Sequence, residues 1–209
     1  MIHIVTAENR DQFTEQLEQA YRLRHTVFVD EMKWEELRKP DGREIDQFDD
    51  ERALHMLYVR DGIVLGYQRM LPTIRAHLLS DVMPELCDDD RPSGPDIWEW
   101  TRYCVARAHR ERGRALSPIA NALLSGIVEW GLQCGVNRII IEMDPIWLLR
   151  LVQLHFRVTP LGLPKRIGGS DIVAVVAAFD ERTLNRLREM RGDHSTVLVE
   201  ESQSKTVSA

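Results

Sequence analysis

The sequence predicts an α/β fold of the α+β sandwich type, in which a mixed, largely antiparallel sheet is flanked by helices. Three observations predict it. An Asp61-Gly62 pair separates two β-like runs, amphipathic helical periodicity covers residues 9–32 and 118–134, and a continuous β-branched run covers 138–143. Local hairpins with interspersed helices are typical of a mixed sheet in one layer with helices packed against it.

The N-terminal half begins with a short strand at residues 2–6 and continues with the long helix at 9–32. Residues 34–52 form a polar loop rich in acidic residues. A hairpin covers 54–71 because two apolar runs flank Asp-Gly, the residue pair that a tight type I′ turn favours. We expect the stretch from there to about residue 95 to be irregular.

In the C-terminal half, residues 97–105 read as a buried strand. A helix begins at Ser117 and Pro118, which suit the N-cap and the first turn, and it ends at Gly135. The remaining predicted elements are a central strand at 138–143, a short helix near 145–155 and two strands near 157–161 and 172–179.

The chain is long enough, at 209 residues and 44% hydrophobic, for one sizeable core. We expect one domain over residues 1–190 and a flexible tail over 191–209, where the sequence is polar and aperiodic. Acidic residues outnumber basic ones 33 to 27, which argues against nucleic acid as a partner. Apolar runs too short for a bilayer, no signal-peptide pattern and three scattered cysteines predict a cytoplasmic protein without a membrane partner.

Four charged residues lie where packing would favour apolar side chains. Arg24 falls on the apolar stripe of the first helix, and Arg69 falls on the apolar face of the second hairpin strand. Glu99 and Arg102 lie within an otherwise apolar strand. An isolated buried ion costs several kcal/mol, so each of these residues needs a partner.

The acidic loop supplies candidate partners in Asp46 and Asp49. For any single misplaced charge, a structural ion pair is the simpler interpretation. Four of them beside spare carboxylates favour a site that binds both an anionic and a cationic group. Metal chemistry is not indicated, because the seven histidines and three cysteines show no metal-ligand spacing.

The pattern R-x3-F-x5-W, then D-x2-D, then an arginine in the hairpin and E-x2-R resembles the acyl-homoserine-lactone synthases of the LuxI type, over about residues 2–180. The residues that carry the resemblance are Arg24, Phe28, Trp34, Asp46, Asp49, Arg69, Glu99 and Arg102. The resemblance implies a fold related to the acetyltransferases that use coenzyme A. It also implies a quorum-sensing function, with S-adenosylmethionine and an acyl thioester as substrates, no further cofactor, and methylthioadenosine as a product.

The resemblance assigns a set of residues to the methionine-derived substrate or its pocket, and their charges and rings suit its carboxylate, ammonium and sulfonium groups. They are Arg24, Phe28, Trp34, Asp46, Asp49, Arg102 and Tyr103; Thr101 is a further residue expected to bind substrate. Arg69 is expected to organise Asp46 or Asp49, and Glu99 is the candidate general base. Since Glu99 and Arg102 would face opposite sides of a regular strand, a shared site requires a β-bulge, which we predict between Trp98 and Arg102.

The acyl pocket is expected to use bulky residues of the E-x2-R strand and the next strand, namely Trp98, Trp100, Met143 and Trp147. If these residues line a pocket, they favour a branched or aromatic acyl group. If they are ordinary core residues, they indicate nothing about the acyl group. Arg110, Gly113 and Arg114 resemble the acetyltransferase loop that binds pyrophosphate, although a solvated basic turn explains them equally well.

The donor is expected to be acyl-CoA, because WEWTRY, RKPDGRE and VTPLGLP resemble the branch of the family that takes acyl groups from CoA. Three alternatives remain open, and one is a non-catalytic binding protein that retains the pocket. A basic surface near Arg110 could receive an acyl-carrier protein instead. A small-molecule N-acetyltransferase of the same fold would also explain the basic loop, but it would leave Arg24, Asp46 and Asp49 without a purpose.

Overall fold

The computed structural model describes residues 1–110 and 116–199. Its centre is a twisted sheet in the order β1-β2-β3-β4-β5-β8-β6, with β7 paired to β8. All pairs between neighbours are antiparallel except β4 with β5. The strands are β1 Ile2–Val5, β2 Leu54–Arg60, β3 Ile63–Pro72, β4 Ile97–Val105, β5 Arg138–Met143, β6 Arg157–Pro160, β7 Lys165–Ile167 and β8 Ser170–Ala178. The predicted mixed, largely antiparallel sheet is confirmed.

Helices cover both faces of this sheet. They are α1 Thr14–Arg24, α2 Leu78–Asp81, α3 Pro118–Cys134, α4 Leu148–Gln153 and α5 Glu181–Arg191. On one face, α3 packs over the main hydrophobic core together with α4 and α5. On the other face, α1 and the acidic loop that follows it cover β3 and β4. We call these the α3 face and the α1 face.

Local sequence signals place several elements correctly. The turn at Asp61 and Gly62 has φ angles of 52° and 76°, the left-handed conformation that a type I′ hairpin requires. The Ser117 hydroxyl accepts a hydrogen bond from the Ala120 amide at 3.1 Å and so caps α3. Gly135, at φ 76°, ends the same helix as predicted.

The helix predicted over residues 9–32 is helical throughout most of its length, but it has three parts. A 3₁₀ turn at Arg10–Phe13 leads into α1, and α1 runs directly into a π-helical segment at His25–Glu31. Hydrogen bonds with five-residue spacing, such as Met32 N to Val27 O at 3.0 Å, define the π segment. Its extra residue per turn changes which side chains face the sheet beyond Arg24.

The flexible tail predicted from residue 191 is wrong for the part that the structure describes. Arg191 is the last residue of α5, a helix that the sequence reading did not include. Val197 and Leu198 are buried, and their backbone bonds to Ile2, with Ile2 N to Val197 O at 2.8 Å. Two apolar side chains in a polar stretch suffice to fix it against β1. Residues 200–209 lie outside the described residues, and the extent of a single domain stays a prediction.

The parallel strands β4 and β5 separate soon after they begin. Their register covers only Ile97 to Glu99 on β4, paired with Arg138 to Ile140 on β5. Beyond that point β4 continues for six residues and β5 for three without pairing to each other. The result is an opening in the middle of the sheet, which we call the β4/β5 cleft.

Candidate active site

An ion-pair cluster of three arginines and three carboxylates lies at the α1 face beside the β4/β5 cleft. Its members are Arg24, Arg69, Arg102, Glu44, Asp46 and Asp49. The formal charges cancel within the cluster, and each arginine faces two of the carboxylates. The acidic loop therefore supplies the partners that the misplaced arginines require.

Arg24 is completely buried at the end of α1. It donates to both oxygens of Asp49 at 2.7 and 2.9 Å and to Glu44 at 2.6 Å. Its Nη1 also lies 3.3 Å from the Tyr67 hydroxyl. A guanidinium with no exposed surface cannot touch a substrate while these bonds persist. Arg24 is therefore part of a structural ion pair in this structure, and its assignment to the methionine-derived substrate or its pocket stays a prediction.

Arg69 holds the same loop from the sheet side. It forms a bidentate ion pair with Asp46, at 2.6 and 2.9 Å, and also contacts Asp49 at 2.9 Å. Its Nε donates to the Thr101 hydroxyl at 3.1 Å. This geometry agrees with the expected organising contact of Arg69, and it places Thr101 as a support for Arg69 within the cluster.

The carboxylates of the cluster are held in their ionised form. Burial by itself would raise the pKa of Asp49, but Arg24 and Arg69 outweigh it and hold the pKa far below its usual range. The pKa values of Glu44 and Asp46 are lowered by the same balance between burial and the neighbouring arginines. These three carboxylates are thus each paired with two arginines of the cluster.

Arg102 joins the cluster through a backbone irregularity. The register of β3 and β4 shifts so that Gln68 faces both Arg102 and Tyr103, which is a β-bulge, and Arg102 takes a left-handed φ of 56°. The bulge predicted between Trp98 and Arg102 is confirmed at the Arg102 end of that interval. It turns the Arg102 side chain to the α1 face, the face that also carries Glu99.

Arg102 is the most accessible arginine of the cluster, with 8% of its side chain exposed against none for Arg24 and Arg69. Its Nε and Nη2 bond to Glu44 and Asp46, at 3.0 and 2.7 Å. Its Nη1 makes no hydrogen bond within the described residues. This nitrogen is therefore a donor that the described cluster does not use.

Phe28 and Trp34 form a stacked aromatic pair next to Arg102. Their ring centroids are 5.2 Å apart with an interplanar angle of 14°. The π segment makes the stack possible, because the Trp34 amide bonds to the Phe28 carbonyl at 3.0 Å and brings the chain back over it. Phe28 is buried and Trp34 is partly exposed, so Trp34 is the ring of the pair that solvent reaches.

Glu99 lies on β4 with no exposed surface. One of its oxygens accepts from His77 Nδ1 at 2.8 Å and from the Leu79 amide at 2.7 Å, and the other accepts from the Leu78 amide at 2.8 Å. The residues at the start of α2 thus hold this carboxylate in place by hydrogen bonds. Glu99 makes no contact with Arg102 among the described hydrogen bonds, so the two share a face and not a bond.

The predicted acyl-pocket residues lie on the α3 face, on the other side of the sheet from Glu99. Trp98, Trp100, Tyr103 and Met143 pack against the main core there. Trp100 donates to Gln68 at 3.2 Å and packs edge-on against Tyr103, at 5.3 Å between centroids. Trp147 does not join them, because it is 41% exposed and lies against Arg150.

The predicted pyrophosphate loop is only partly described. Arg110 donates to the Val105 carbonyl at 2.7 Å and pairs with Glu31 of the π segment. These contacts fix Arg110 within the protein. Gly113 and Arg114 lie outside the described residues, so their role stays a prediction.

The structure adds residues to the candidate site that were not predicted from the sequence. Glu44 bridges Arg24 and Arg102, and nothing in the loop sequence distinguishes it from its exposed acidic neighbours. His77 positions Glu99 from a stretch that was predicted to be irregular. Glu142 is a charged residue within the apolar run of β5. This signal is visible in the sequence, but Glu142 was not predicted as a site residue.

Comparison with known proteins decides the family. The family model described as autoinducer synthase matches residues 8–187, which is most of the chain. The chain belongs to the autoinducer synthase family. It is therefore an acyltransferase of the acyl-homoserine-lactone synthase type. The isovaleryl-homoserine lactone synthase of Bradyrhizobium diazoefficiens is 38% identical to it over 198 residues, which are 94% of this chain and 88% of that relative.

Two solved synthases share the whole architecture with this autoinducer synthase. BjaI, a CoA-dependent acyl-homoserine lactone synthase solved with SAM and isopentyl-CoA, has a TM-score of 0.89 at 36% identity, covering 95% of this chain and 92% of its own. MesI, also CoA-dependent, has a TM-score of 0.86 at 32% identity, covering 96% and 100%. A protein assigned as an N-acetyltransferase from Lactobacillus plantarum shares the fold alone, at a TM-score of 0.53 and 21% identity. The predicted acetyltransferase-like fold is confirmed.

The described residues contain neither a candidate metal site nor a candidate membrane-spanning helix. No group of three or more histidine, cysteine, aspartate or glutamate residues in the described ranges is arranged to hold a metal ion. Within the same ranges, no helix has both the length and the apolar character needed to cross a bilayer.

Proposed function

We propose that this synthase joins the amino group of S-adenosylmethionine to a short branched acyl group from coenzyme A, closes an N-acyl-homoserine lactone and releases methylthioadenosine. One observation carries the proposal: the β4/β5 cleft has a charged surface on its α1 face and a tryptophan-lined surface on its α3 face. An amino-acid substrate and an apolar thioester need these two surfaces on either side of one reacting carbonyl.

The charged surface suits S-adenosylmethionine. Arg102 Nη1 makes no hydrogen bond within the described residues, and we expect it to bind the methionyl carboxylate through a charge-assisted hydrogen bond. Trp34 is partly exposed and suits the sulfonium or the adenine ring, since a cation is attracted to an aromatic face. Arg24 and Arg69 hold Glu44, Asp46 and Asp49 beneath this surface and keep it rigid.

The apolar surface suits a small acyl group. Trp98 packs edge-on against Trp130, with 5.0 Å between ring centroids, and Trp100 is tied to Gln68. Both rings are fixed by these contacts and occupy space that a long straight chain would need. A branched four- or five-carbon group fills a short, wide pocket better than a straight chain does.

The reaction then has two bond changes. The amine attacks the thioester carbonyl, a C–N bond forms, and the C–S bond to coenzyme A breaks. Next the methionyl carboxylate attacks the carbon next to the sulfonium, which closes the lactone ring and breaks the C–S bond to methylthioadenosine. An α-amino group titrates near about pH 8, so freeing it at pH 7 costs only about 1 kcal/mol. Positioning of the amine at the carbonyl is the larger contribution of the site.

We prefer coenzyme A to an acyl-carrier protein as the donor. The relative at 38% identity is an isovaleryl-homoserine lactone synthase, and the two solved synthases, at 36% and 32% identity, are CoA-dependent. We place the reaction in the cytoplasm, in keeping with three cysteines that are all free.

The test is mass spectrometry of the products. The full chain would be incubated with S-adenosylmethionine and matched panels of acyl-CoA and acyl-carrier-protein thioesters. We expect methylthioadenosine and one branched acyl-homoserine lactone in equal amounts, from CoA donors. Arg102→Gln should abolish both products, and Arg182→Gln, at an exposed position on α5, should abolish neither. An acetylated amine without methylthioadenosine would refute the proposal, and turnover from carrier-protein donors alone would refute the choice of donor.

A further inference from the structure

Glu142 is a carboxyl group on the central strand that the reaction described above does not use. Glu99 is paired in register with Ile140 across β4 and β5, and alternate residues of a strand share a face. Glu142, two residues after Ile140, therefore lies on the α1 face with Glu99. It also lies where β4 and β5 have separated, at the mouth of the cleft.

Glu99 has almost no remaining capacity to accept a proton directly. A carboxylate offers about four acceptor positions on its two oxygens. Three of those of Glu99 are filled by His77, Leu78 and Leu79, at 2.7–2.8 Å. The fourth faces Glu142, which lies within hydrogen-bonding reach of it. A substrate amine would find no open position on Glu99.

The contact between the two glutamates requires a proton. Oε1 of Glu142 is hidden from solvent and has no donor among the described residues. Two ionised carboxylates cannot donate to each other, so this buried oxygen is satisfied only if it carries the proton itself. Burial raises the pKa of Glu142 well above its usual range, and the charge of Glu99 raises it further.

The groups around Glu142 on balance favour its protonated form. Across β5, Ala174 of β8 is the residue in register with Glu142 and carries no charge. A backbone hydrogen bond to the Glu142 carboxylate and the charge of Arg102 on β4 favour the ionised form, but the effect of each is smaller than those of burial and of the Glu99 charge. His77 faces the far side of Glu99. Glu142 as a whole is partly exposed, and its Oε1 is a buried oxygen.

We propose that Glu142, and not Glu99 alone, takes the proton from the attacking amine, as a relay. The inference rests on the proposed synthase function. As the C–N bond forms, the amine nitrogen gives its proton to Oε2 of Glu142. The proton on Oε1 of Glu142 passes to Glu99 at the same time, so the pair then holds two protons. When the thioester C–S bond breaks, the thiolate of coenzyme A takes one proton, and the pair returns to one.

The test compares Glu142→Gln with Glu15→Gln, the same change at an exposed position of α1. Glutamine keeps the volume of the side chain and can donate to Glu99, so the fold is retained. Methylthioadenosine release would be followed against pH with S-adenosylmethionine and isovaleryl-CoA. General acid–base groups contribute about 10²–10⁴ in rate, so we expect Glu142→Gln to lower kcat at neutral pH by about 10²-fold or more. KM for S-adenosylmethionine should change little.

The pH profile separates a relay from a structural role. The deficit of Glu142→Gln should shrink as the pH rises above about 8, where hydroxide can remove the amine proton. A loss of the same size at every pH, or no loss, would overturn the relay.

A second readout does not depend on turnover. Infrared difference spectra at neutral pH should show the band of a protonated carboxyl group in the unchanged protein and in Glu15→Gln, and should lack it in Glu142→Gln. Persistence of the band in Glu142→Gln would overturn the shared proton. If the band behaves as expected but no lactone forms, the carboxyl pair stands and the synthase function fails.

Discussion

The ion-pair cluster predicts a large loss of stability when one of its acids is removed. Asp49→Ala leaves Arg24 and Arg69 buried with one carboxylate fewer between them, so the cluster gains an uncompensated positive charge. Removing one partner of a buried ion pair costs about 3–5 kcal/mol. For a chain of this size each kcal/mol shifts the unfolding midpoint by about 2–4 °C, so the expected drop is about 6–20 °C.

A matched control uses an ion pair of the same length at the surface. Asp41 lies 2.7 Å from Arg43, the same distance as Asp49 from Arg24, but both of its side chains are about 40% exposed. Exposed pairs contribute little because water and salt screen them. Asp41→Ala should leave the midpoint unchanged in thermal unfolding followed by circular dichroism. If the two variants lose the same amount, or Asp49→Ala loses nothing, the buried cluster does not stabilise the fold as argued.

Three further predictions follow from other contacts. Burial lowers the pKa of His55 to about 3, so between about pH 3 and about pH 6.5 the unfolded chain binds more protons than the folded one. The free energy of unfolding should therefore fall as the pH decreases across that window. Urea titrations should show a smaller fall for His55→Gln. Gly131→Ala should cost about 1–3 kcal/mol because the new Cβ would lie 2.6 Å from the Val136 carbonyl oxygen, whereas Gly126→Ala on the same helix meets nothing closer than 3.5 Å and should not destabilise. Trp100→Leu should shift product formation towards longer acyl chains in a competition between acyl-CoA donors, while Trp147→Leu, at an exposed position, should not.

The elements that the sequence predicted well are those with strong local signals. The Asp61-Gly62 turn, the Ser117 cap and the apolar run at 138–143 act over a few residues, so they can be read without knowing the fold. Helix α5 carried such signals too, since Asp180 caps its start and Gly192 ends it in a left-handed conformation. It was missed because few of its residues are apolar.

The candidate site was predicted in part because misplaced charges are visible in sequence. Arg24, Arg69 and Glu99 stand out against apolar neighbours, and all three are buried. Glu44 is equally buried but lies among acids that remain at the surface, so only the folding of the loop over Arg24 selects it. For Arg24 the sequence showed a buried charge without showing that Glu44 and Asp49 pair with it completely, and its place in the pocket of the methionine-derived substrate stays a prediction.

The contact between the two ends of the described chain has a consequence for association between molecules. β1 is an outer strand, and an outer strand offers unpaired backbone groups to any strand that approaches. Here the Ile2 amide and carbonyl are taken by Val197 and Val199, at 2.8 and 2.9 Å. A chain cut after His194 would uncover those groups together with an apolar patch, and it would tend to aggregate through that edge. The short segment after α5 thus blocks the β1 edge of the sheet from pairing with a strand of another molecule.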